Sequence, residues 1–332
     1  MTDVDSFACY LVTKEAAGVR GEVTRRPISD LPAGDVLIRV AYSSLNYKDG
    51  LSATGNMGVT RKYPHVPGID AAGTVETCTT ADFQPGDEVL VTGHDLGQNT
   101  WGGWGGFIRV PADWVLRLPQ GWSPRAAMAY GTAGLTAAQC VEALRHGGVT
   151  PDRGEVVVTG ASGGVGSLAV GILAKLGYRV AAVTGKPAAA DLLKRLGATT
   201  ILSRTDVVDA SNKPLLAARF SGAVDTVGGA TLATILRSTD RHGVVAACGL
   251  VGGVEVSTTV LPFILRGITL AGIDSVECPR AQRERIWSNL AGPWNVPIVA
   301  ELTTEVKLDE VAGQVERILK GEVTGRVVVR PE

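Results

Sequence analysis

The reading of the fold turns on Val156-Val157-Val158-Thr159-Gly160-Ala161-Ser162-Gly163-Gly164-Val165-Gly166-Ser167. A β-branched apolar run enters a glycine-rich turn, and the apolar segment that follows, Leu168 to Leu176, reads as a helix. Strand, turn and helix in that order open a dinucleotide-binding βαβ unit, whose Gly-x-Gly-x-x-Gly spacing is present as Ala161-x-Gly163-x-x-Gly166. Gly163 lets the backbone approach a pyrophosphate, and Gly166 lets the helix pack closely on the strand. The unpaired N–H groups at the helix start favour the phosphate charge. Ala161, Ser162, Gly163, Gly164, Val165 and Gly166 are therefore candidate cofactor-binding residues; the competing reading is a glycine turn required by packing alone. The same region holds 19 uncharged residues, Val156 to Ala174, close to the roughly 20 of a bilayer span. Five of them are glycine, which favours strand, turn and helix over one continuous helix.

Outward from this stretch, β-branched runs alternate with Ala-rich helical segments from about Arg125 onward. Strands are predicted at Glu155 to Thr159, Arg179 to Val183, Thr199 to Leu202, Gly222 to Asp225, Gly243 to Cys248 and Ile268 to Gly272. That alternation is the pattern of a doubly wound parallel α/β sheet, a Rossmann domain. Cofactor choice rests on the end of its second strand, Ala181-Ala182-Val183-Thr184-Gly185-Lys186. An NAD site places an acid there to bind the ribose hydroxyls, but the first acid that follows, Asp191, already lies in the next helix. Thr184, Lys186 and, after the third strand, Arg204 suit a 2′-phosphate instead, so NADPH is the expected cofactor.

Before Arg125 the chain is β-rich, with strands predicted at Val36 to Val40, Ala71 to Glu76, Asp87 to Val91 and Gly106 to Pro111. After Asp274 come two helices, Ala281 to Leu290 and Leu308 to Lys320, and a strand from Gly325 to Val329 that is placed to rejoin the first domain. The expected organisation is a nucleotide domain, 126–274, inserted in a discontinuous β-rich domain, 1–125 and 275–332. Glycine is in excess, 42 of 332 residues, without a collagen period or the low apolar content of a disordered chain. A net charge of −1 gives no field for nucleic acid or an anionic membrane, and neither is expected as a partner. The five cysteines are scattered without a C-x-x-C pair, and Met1-Thr2-Asp3-Val4-Asp5 is acidic where a secretory signal is basic. A cytoplasmic location is the expectation.

Taken together, a β-rich first domain, a central nucleotide domain and a chain of this length resemble the medium-chain dehydrogenase/reductase superfamily, in which the β-rich part is the GroES-like catalytic domain. Zinc alcohol dehydrogenases of that superfamily use a catalytic Cys and a Gly-His-Glu motif. The corresponding places here read Leu45-Asn46-Tyr47-Lys48-Asp49 and Pro67-Gly68-Ile69-Asp70, and the four dispersed histidines do not rebuild a three-ligand site, so no zinc is expected. Within the zinc-free, quinone oxidoreductase-like branch, the chain is most similar to the bacterial acrylyl-CoA reductase group. The similarity is carried by Ser43 to Leu51, Pro67 to Asp70, Trp101-Gly102-Gly103, Gly131-Thr132-Ala133-Gly134, Val158 to Gly166, Ala247-Cys248-Gly249-Leu250, Leu261 to Arg266 and Gly272 to Val276. Trp104-Gly105-Gly106-Phe107 departs from it, where an Ala-Glu pair follows the glycines.

The resemblance implies NADPH-dependent reduction of the activated C=C bond of acryloyl-CoA, with Tyr47 as donor to the enolate or the α-carbon. It further implies Asn46 fixing a carbonyl, ribose or water, Lys48 stabilising negative charge, and Asp49 orienting Lys48 or a backbone turn; the competing reading of Asn46 to Asp49 is a capped turn with Tyr47 packed in the domain interface. Thr132, Gly249, Leu250 and Asp274 are implied near the nicotinamide, and a homodimer is implied as the assembly. Arg61, Lys62, Arg280 and Arg283 are candidates for the CoA phosphates, and Trp101 for either covering the substrate or packing a loop. The rival readings are a reductase of quinones or other α,β-unsaturated carbonyls, and a noncatalytic NADPH-binding protein.

Overall fold

Apolar side chains at alternate positions, Phe7, Cys9 and Leu11, bury one face of β1 (Ser6–Glu15), which pairs antiparallel with β2 (Gly18–Pro27). Neither strand is among those predicted; β2 carries Arg20, Glu22, Arg25 and Arg26 and buries little, which hides it as a strand. The computed structural model describes residues 5–16, 18–211 and 213–332, so the acidic stretch Met1 to Val4 lies outside the described residues. By internal contacts the chain forms one unit of Met1–Thr132, Val276–Ala291 and Val299–Glu332, and a second of Ala133–Ser275 and Gly292–Ile298.

In the first unit β3 (Val36–Ser44), β4 (Asp70–Cys78), β5 (Glu88–Thr92) and β6 (Phe107–Val110) fall on the four predicted segments. Between them α1 (Tyr47–Ala53) is a short helix, and β7 (Leu116–Arg117) closes one end of the sheet. The long helix α2 (Pro124–His146) follows, interrupted at Gly131.

The second unit is built on β8 (Glu155–Val158), α3 (Gly164–Lys175), β9 (Arg179–Val183), α4 (Ala190–Arg195), β10 (Thr200–Leu202), β11 (Phe220–Asp225), α5 (Gly229–Ser238), β12 (Thr239–Ala247), α6 (Leu261–Arg266) and β13 (Thr269–Gly272). Its six strands are parallel in the order β10-β9-β8-β11-β12-β13, the doubly wound arrangement. Val156, Val157 and Val158 are fully buried, as a strand covered on both faces requires. The 19 uncharged residues divide into β8, a glycine turn and α3. The helix starts at Gly164, four residues before the predicted Leu168, because low glycine propensity hides its first turn. Among the described residues no helix is long and apolar enough to cross a membrane.

The chain then returns to the first unit through α7 (Arg280–Ala291), β14 (Thr303–Lys307), α8 (Val311–Leu319) and β15 (Arg326–Arg330). The predicted helix from Leu308 begins as a 3₁₀ turn, Leu308–Glu310, before α8. β15 pairs antiparallel with β3 and parallel with β14, completing the sheet β14-β15-β3-β4-β5-β7, with β6 also on β3. Phe7, Leu45, Trp104, Phe107, Val311 and Val329 form part of the core under this sheet, and Val157, Phe220, Ile235 and Val245 part of the core of the second unit. Trp104, the departure from the family pattern, is fully buried against Tyr10 and donates its indole N–H to the Ser44 carbonyl at 3.0 Å.

Candidate functional site

In the first unit the polar residues at the ends of β3, β4 and β15 converge on the start of α1. Asn46 has the extended backbone of a helix N-cap, φ −120° and ψ 161°, and its backbone N–H donates to Asp49 Oδ2 at 2.7 Å. Asp49 Oδ1 accepts from the Ile69 N–H at 2.8 Å. Asp49 therefore holds the backbone at Asn46 and Ile69, and it makes no hydrogen bond or ion pair with Lys48 among the described residues. Burial, reinforced by the negative charge of Asp70, pushes the Asp49 carboxyl up to about 7.

Asp70, fully buried at the head of β4, accepts from Ser44 Oγ at 2.5 Å, Asn46 Nδ2 at 2.9 Å, and the Thr132 N–H and hydroxyl at 2.9 and 2.6 Å. The break at Gly131 is what frees the Thr132 N–H to point at this carboxylate. Arg326, also buried, donates through Nε to the Ala129 carbonyl at 2.9 Å and through Nη1 to Asn46 Oδ1 at 3.4 Å. Its Nη2 is buried without a hydrogen-bond partner among the described residues. Burial lowers its pKa, and the charges of Asp70 and Asp49 oppose that shift.

Asn46 is thus committed on all sides, donating to Ser44 at 3.0 Å, Asp49 at 3.1 Å and Asp70 while accepting from Arg326. Tyr47 and Lys48, the next two residues, are half-buried, and neither side chain has a hydrogen bond or ion pair among the described residues. Of the four predicted catalytic residues, then, Asn46 and Asp49 build the turn and Tyr47 and Lys48 are held at its surface. Thr132, predicted on the cofactor side, belongs to the Asp70 cluster.

The second unit gathers most of the other predicted residues at the carboxyl ends of its parallel strands, where open α/β sheets bind ligands. Ala161 to Gly166 follow β8, and a Cβ on Gly166 would run into the Gly160 carbonyl and stand 2.7 Å from Ala161 Cα. Only glycine permits that crossing of helix and turn. After β9, Thr184 Oγ1 donates to Ser162 Oγ at 3.0 Å and accepts from the Lys186 N–H at 3.0 Å, joining the two predicted loops. The exposed Arg204 lies across Gly185, its Cζ 2.5 Å from where a Cβ would stand, beside Lys186. Gly249, Leu250 and Asp274 line an open cleft of about 510 Å³ with Ala247, Cys248, Gly272 and Ile273. These residues fit a dinucleotide: a close backbone crossing for the pyrophosphate, and the cations Lys186 and Arg204 after the second and third strands of this unit.

Sequence reasoning did not assign roles to Ser44, Asp70, Arg326 or Asp225. Asp225 is buried at the end of β11, accepts from Thr159 Oγ1 and the Gly228 N–H at 2.7 Å each, and has its pKa raised by burial. The available signal was a lone charge at the end of an apolar strand, since a buried charge requires partners. Arg283 proves no candidate for CoA: it is 2% exposed and its guanidinium donates to Thr92 Oγ1 and the Val276 carbonyl. Arg280 bonds Glu284 and the Asp113 carbonyl, and Trp101 is buried with its N–H on the Pro64 carbonyl. Among the described residues no group of three or more His, Cys, Asp or Glu is placed to hold a metal ion.

Comparison with known proteins agrees with this architecture. The alcohol dehydrogenase GroES-like domain family matches residues 32–120, and the zinc-binding dehydrogenase family matches residues 164–291. Acrylyl-CoA reductase AcuI of Ruegeria pomeroyi is 47% identical over 325 residues, 97% of this chain and 98% of that protein. The Escherichia coli K-12 protein YhdH with bound NADPH superposes with a TM-score of 0.94 at 44% identity, covering 98% of this chain and 100% of that one. The putative quinone oxidoreductase YhfP of Bacillus subtilis is 45% identical over 98% of each chain. The Bacillus subtilis yhfP structure with NAD bound gives a TM-score of 0.95, covering 98% of this chain and 99% of that one. With a GroES-like part, a Rossmann part and relatives this similar along nearly its whole length, the chain belongs to the medium-chain dehydrogenase/reductase family of oxidoreductases.

Proposed function

We propose that the chain reduces the activated C=C bond of acryloyl-CoA to propionyl-CoA with NADPH. The observation that carries this reading is the 47% identity to an acrylyl-CoA reductase over 97% of the chain. The placement of Arg204 beside Lys186, with no acid at the tip of β9, supports NADPH as the reductant. Bound at Ala161 to Gly166, Thr184, Lys186 and Arg204, with Gly249, Leu250 and Asp274 along the adjoining cleft, NADPH supplies a hydride.

Hydride addition at the β-carbon leaves a thioester enolate, and a proton must reach the α-carbon. Tyr47 is the proposed donor, because its phenol is held at the start of α1 with no hydrogen-bond partner among the described residues. Lys48 beside it would favour the enolate charge. The reading uses no zinc: the thiolate's place falls in Leu45 to Asp49, where Asn46 and Asp49 are committed to the hydrogen-bonded cluster, the imidazole of Gly-His-Glu is replaced in Gly68-Ile69-Asp70 by the buried Ile69, and tetrahedral catalytic zinc takes three protein ligands. The domain limits 126–274 for cofactor binding and 1–125 with 275–332 for catalysis remain part of the proposal, as does a cytoplasmic location.

Purified protein with NADPH is expected to turn over acryloyl-CoA with a kcat/KM at least about tenfold above that for crotonyl-CoA or a simple quinone. Oxidation of NADPH with quinone alone would favour the reading supported by the YhfP relative, and none with any substrate would leave a noncatalytic binding protein.

A homodimer completes the proposal. β13 is an edge strand, and the segment leading into it exposes Val254 (77%), Val260, Ile264 (68%) and Leu265. An unpaired edge beside apolar side chains is an aggregation hazard unless covered, and a second copy of the chain would cover it by a two-fold operation. Sedimentation is expected to give twice the 34.5 kDa chain mass, with Val254→Lys and Ile264→Lys together giving the monomer.

A further inference from the structure

We propose that Asp70 is a positioning residue of this reduction: by holding Asn46 it fixes the first turn of α1 and so places the Tyr47 hydroxyl. The inference rests on the reading of Tyr47 as the proton donor. Tyr47 is the first helical residue after Asn46, so the orientation of its Cα–Cβ bond follows the N-cap. The Asn46 amide has one orientation available. Its Nδ2 faces two carboxylates, Asp49 at 3.1 Å and Asp70 at 2.9 Å, while its Oδ1 faces the Arg326 guanidinium. The flipped amide would set oxygen against both carboxylates and nitrogen against a cation.

Asp70 is in turn held by donors from Ser44 and Thr132, and Arg326 is tied to the Ala129 carbonyl, so β3, β4, β15 and α2 all bear on one side chain. The turn itself is short, and α1 has only seven residues, too few to be rigid alone. Its definition therefore comes from the carboxylate behind it. In an isosteric amide at position 70 only one oxygen remains, and the NH₂ group confronts at least one of the donors from Ser44, Asn46 and Thr132.

The test is a cycle read in steady-state kinetics with acryloyl-CoA and NADPH. Tyr47→Phe is expected to lower kcat about a hundredfold with KM for both substrates within about threefold. Asp70→Asn is expected to lower kcat about tenfold at similar KM, and Ser44→Ala, which keeps the carboxylate and removes one donor to it, about threefold. In the Tyr47→Phe background neither change should lower kcat further, because a misplaced hydroxyl and an absent one are equivalent. Equal factors in the wild-type and Tyr47→Phe backgrounds, or a raised KM at unchanged kcat, overturn the positioning role while leaving Tyr47 as donor. Wild-type turnover in Tyr47→Phe overturns both. Should Asp70→Asn fail to fold, Ser44→Ala carries the same decision.

Discussion

Replacing Lys186 and Arg204 together by alanine is expected to lower the preference for NADPH over NADH by on the order of 10²- to 10³-fold, through KM and not kcat. A charged hydrogen bond is worth about 1.5–3 kcal/mol, and each 1.4 kcal/mol is tenfold, so two cations on one phosphate correspond to roughly 10² or more before screening. Arg204 is exposed, which places the expectation toward the lower end of the unscreened range. The geometry behind it is the bare backbone of Gly185, over which the guanidinium lies with Nη2 2.8 Å from the site of a would-be Cβ. Gly185→Ala should displace Arg204 and shift the preference the same way by a smaller factor. The measurement is the ratio of kcat/KM for the two cofactors at fixed ionic strength. An unchanged ratio in the double variant would remove the 2′-phosphate assignment. The relatives make this decisive, since one similar structure carries NADPH and another NAD.

Gly131→Ala is expected to abolish most turnover and to lower stability by about 2–6 kcal/mol. Gly131 sits at φ 51° and ψ −152°, a region nearly closed to residues with a Cβ and costing about 1–3 kcal/mol when forced. The added methyl would also stand 2.5 Å from Asp70 Oδ2 and 3.2 Å from Arg326 Nη2, and overpacking of a buried site costs a further 1–3 kcal/mol or so. Relief by moving Asp70 would break its bonds to Thr132, Asn46 and Ser44 at once. Thermal unfolding and kcat measured on the same preparation check this. A variant with wild-type midpoint and rate would mean that the interruption of α2 has no bearing on the cluster. An intermediate result on stability with kcat lost would place the cost in the geometry of the Asp70 cluster.

The nucleotide-binding half was legible because its signals are local. Val156 to Gly166 contains its own strand, turn and helix start, and the missing acid after Val183 is a property of a few adjacent residues. The boundaries were less legible where glycine masked the first turn of α3 and where the polar face of β2 hid a strand. The first-unit cluster was only half visible. Asn46 and Asp49 stand near one another in the chain and suggest a capped turn. Asp70 and Arg326 each begin an apolar strand and carry no indication of their partners.

The sequence by itself determined the α/β class, the glycine turn between β8 and α3 and the family, since each depends on short-range patterns of apolar periodicity, glycine and turn residues. Only the tertiary structure decided what Asn46 does. Its amide is consumed by Ser44, Asp49, Asp70 and Arg326, side chains brought together by the pairing of β3 with β4 and β15. A buried charge must find its counterpart across the fold, and sheet register, which no local pattern states, selects which residues meet.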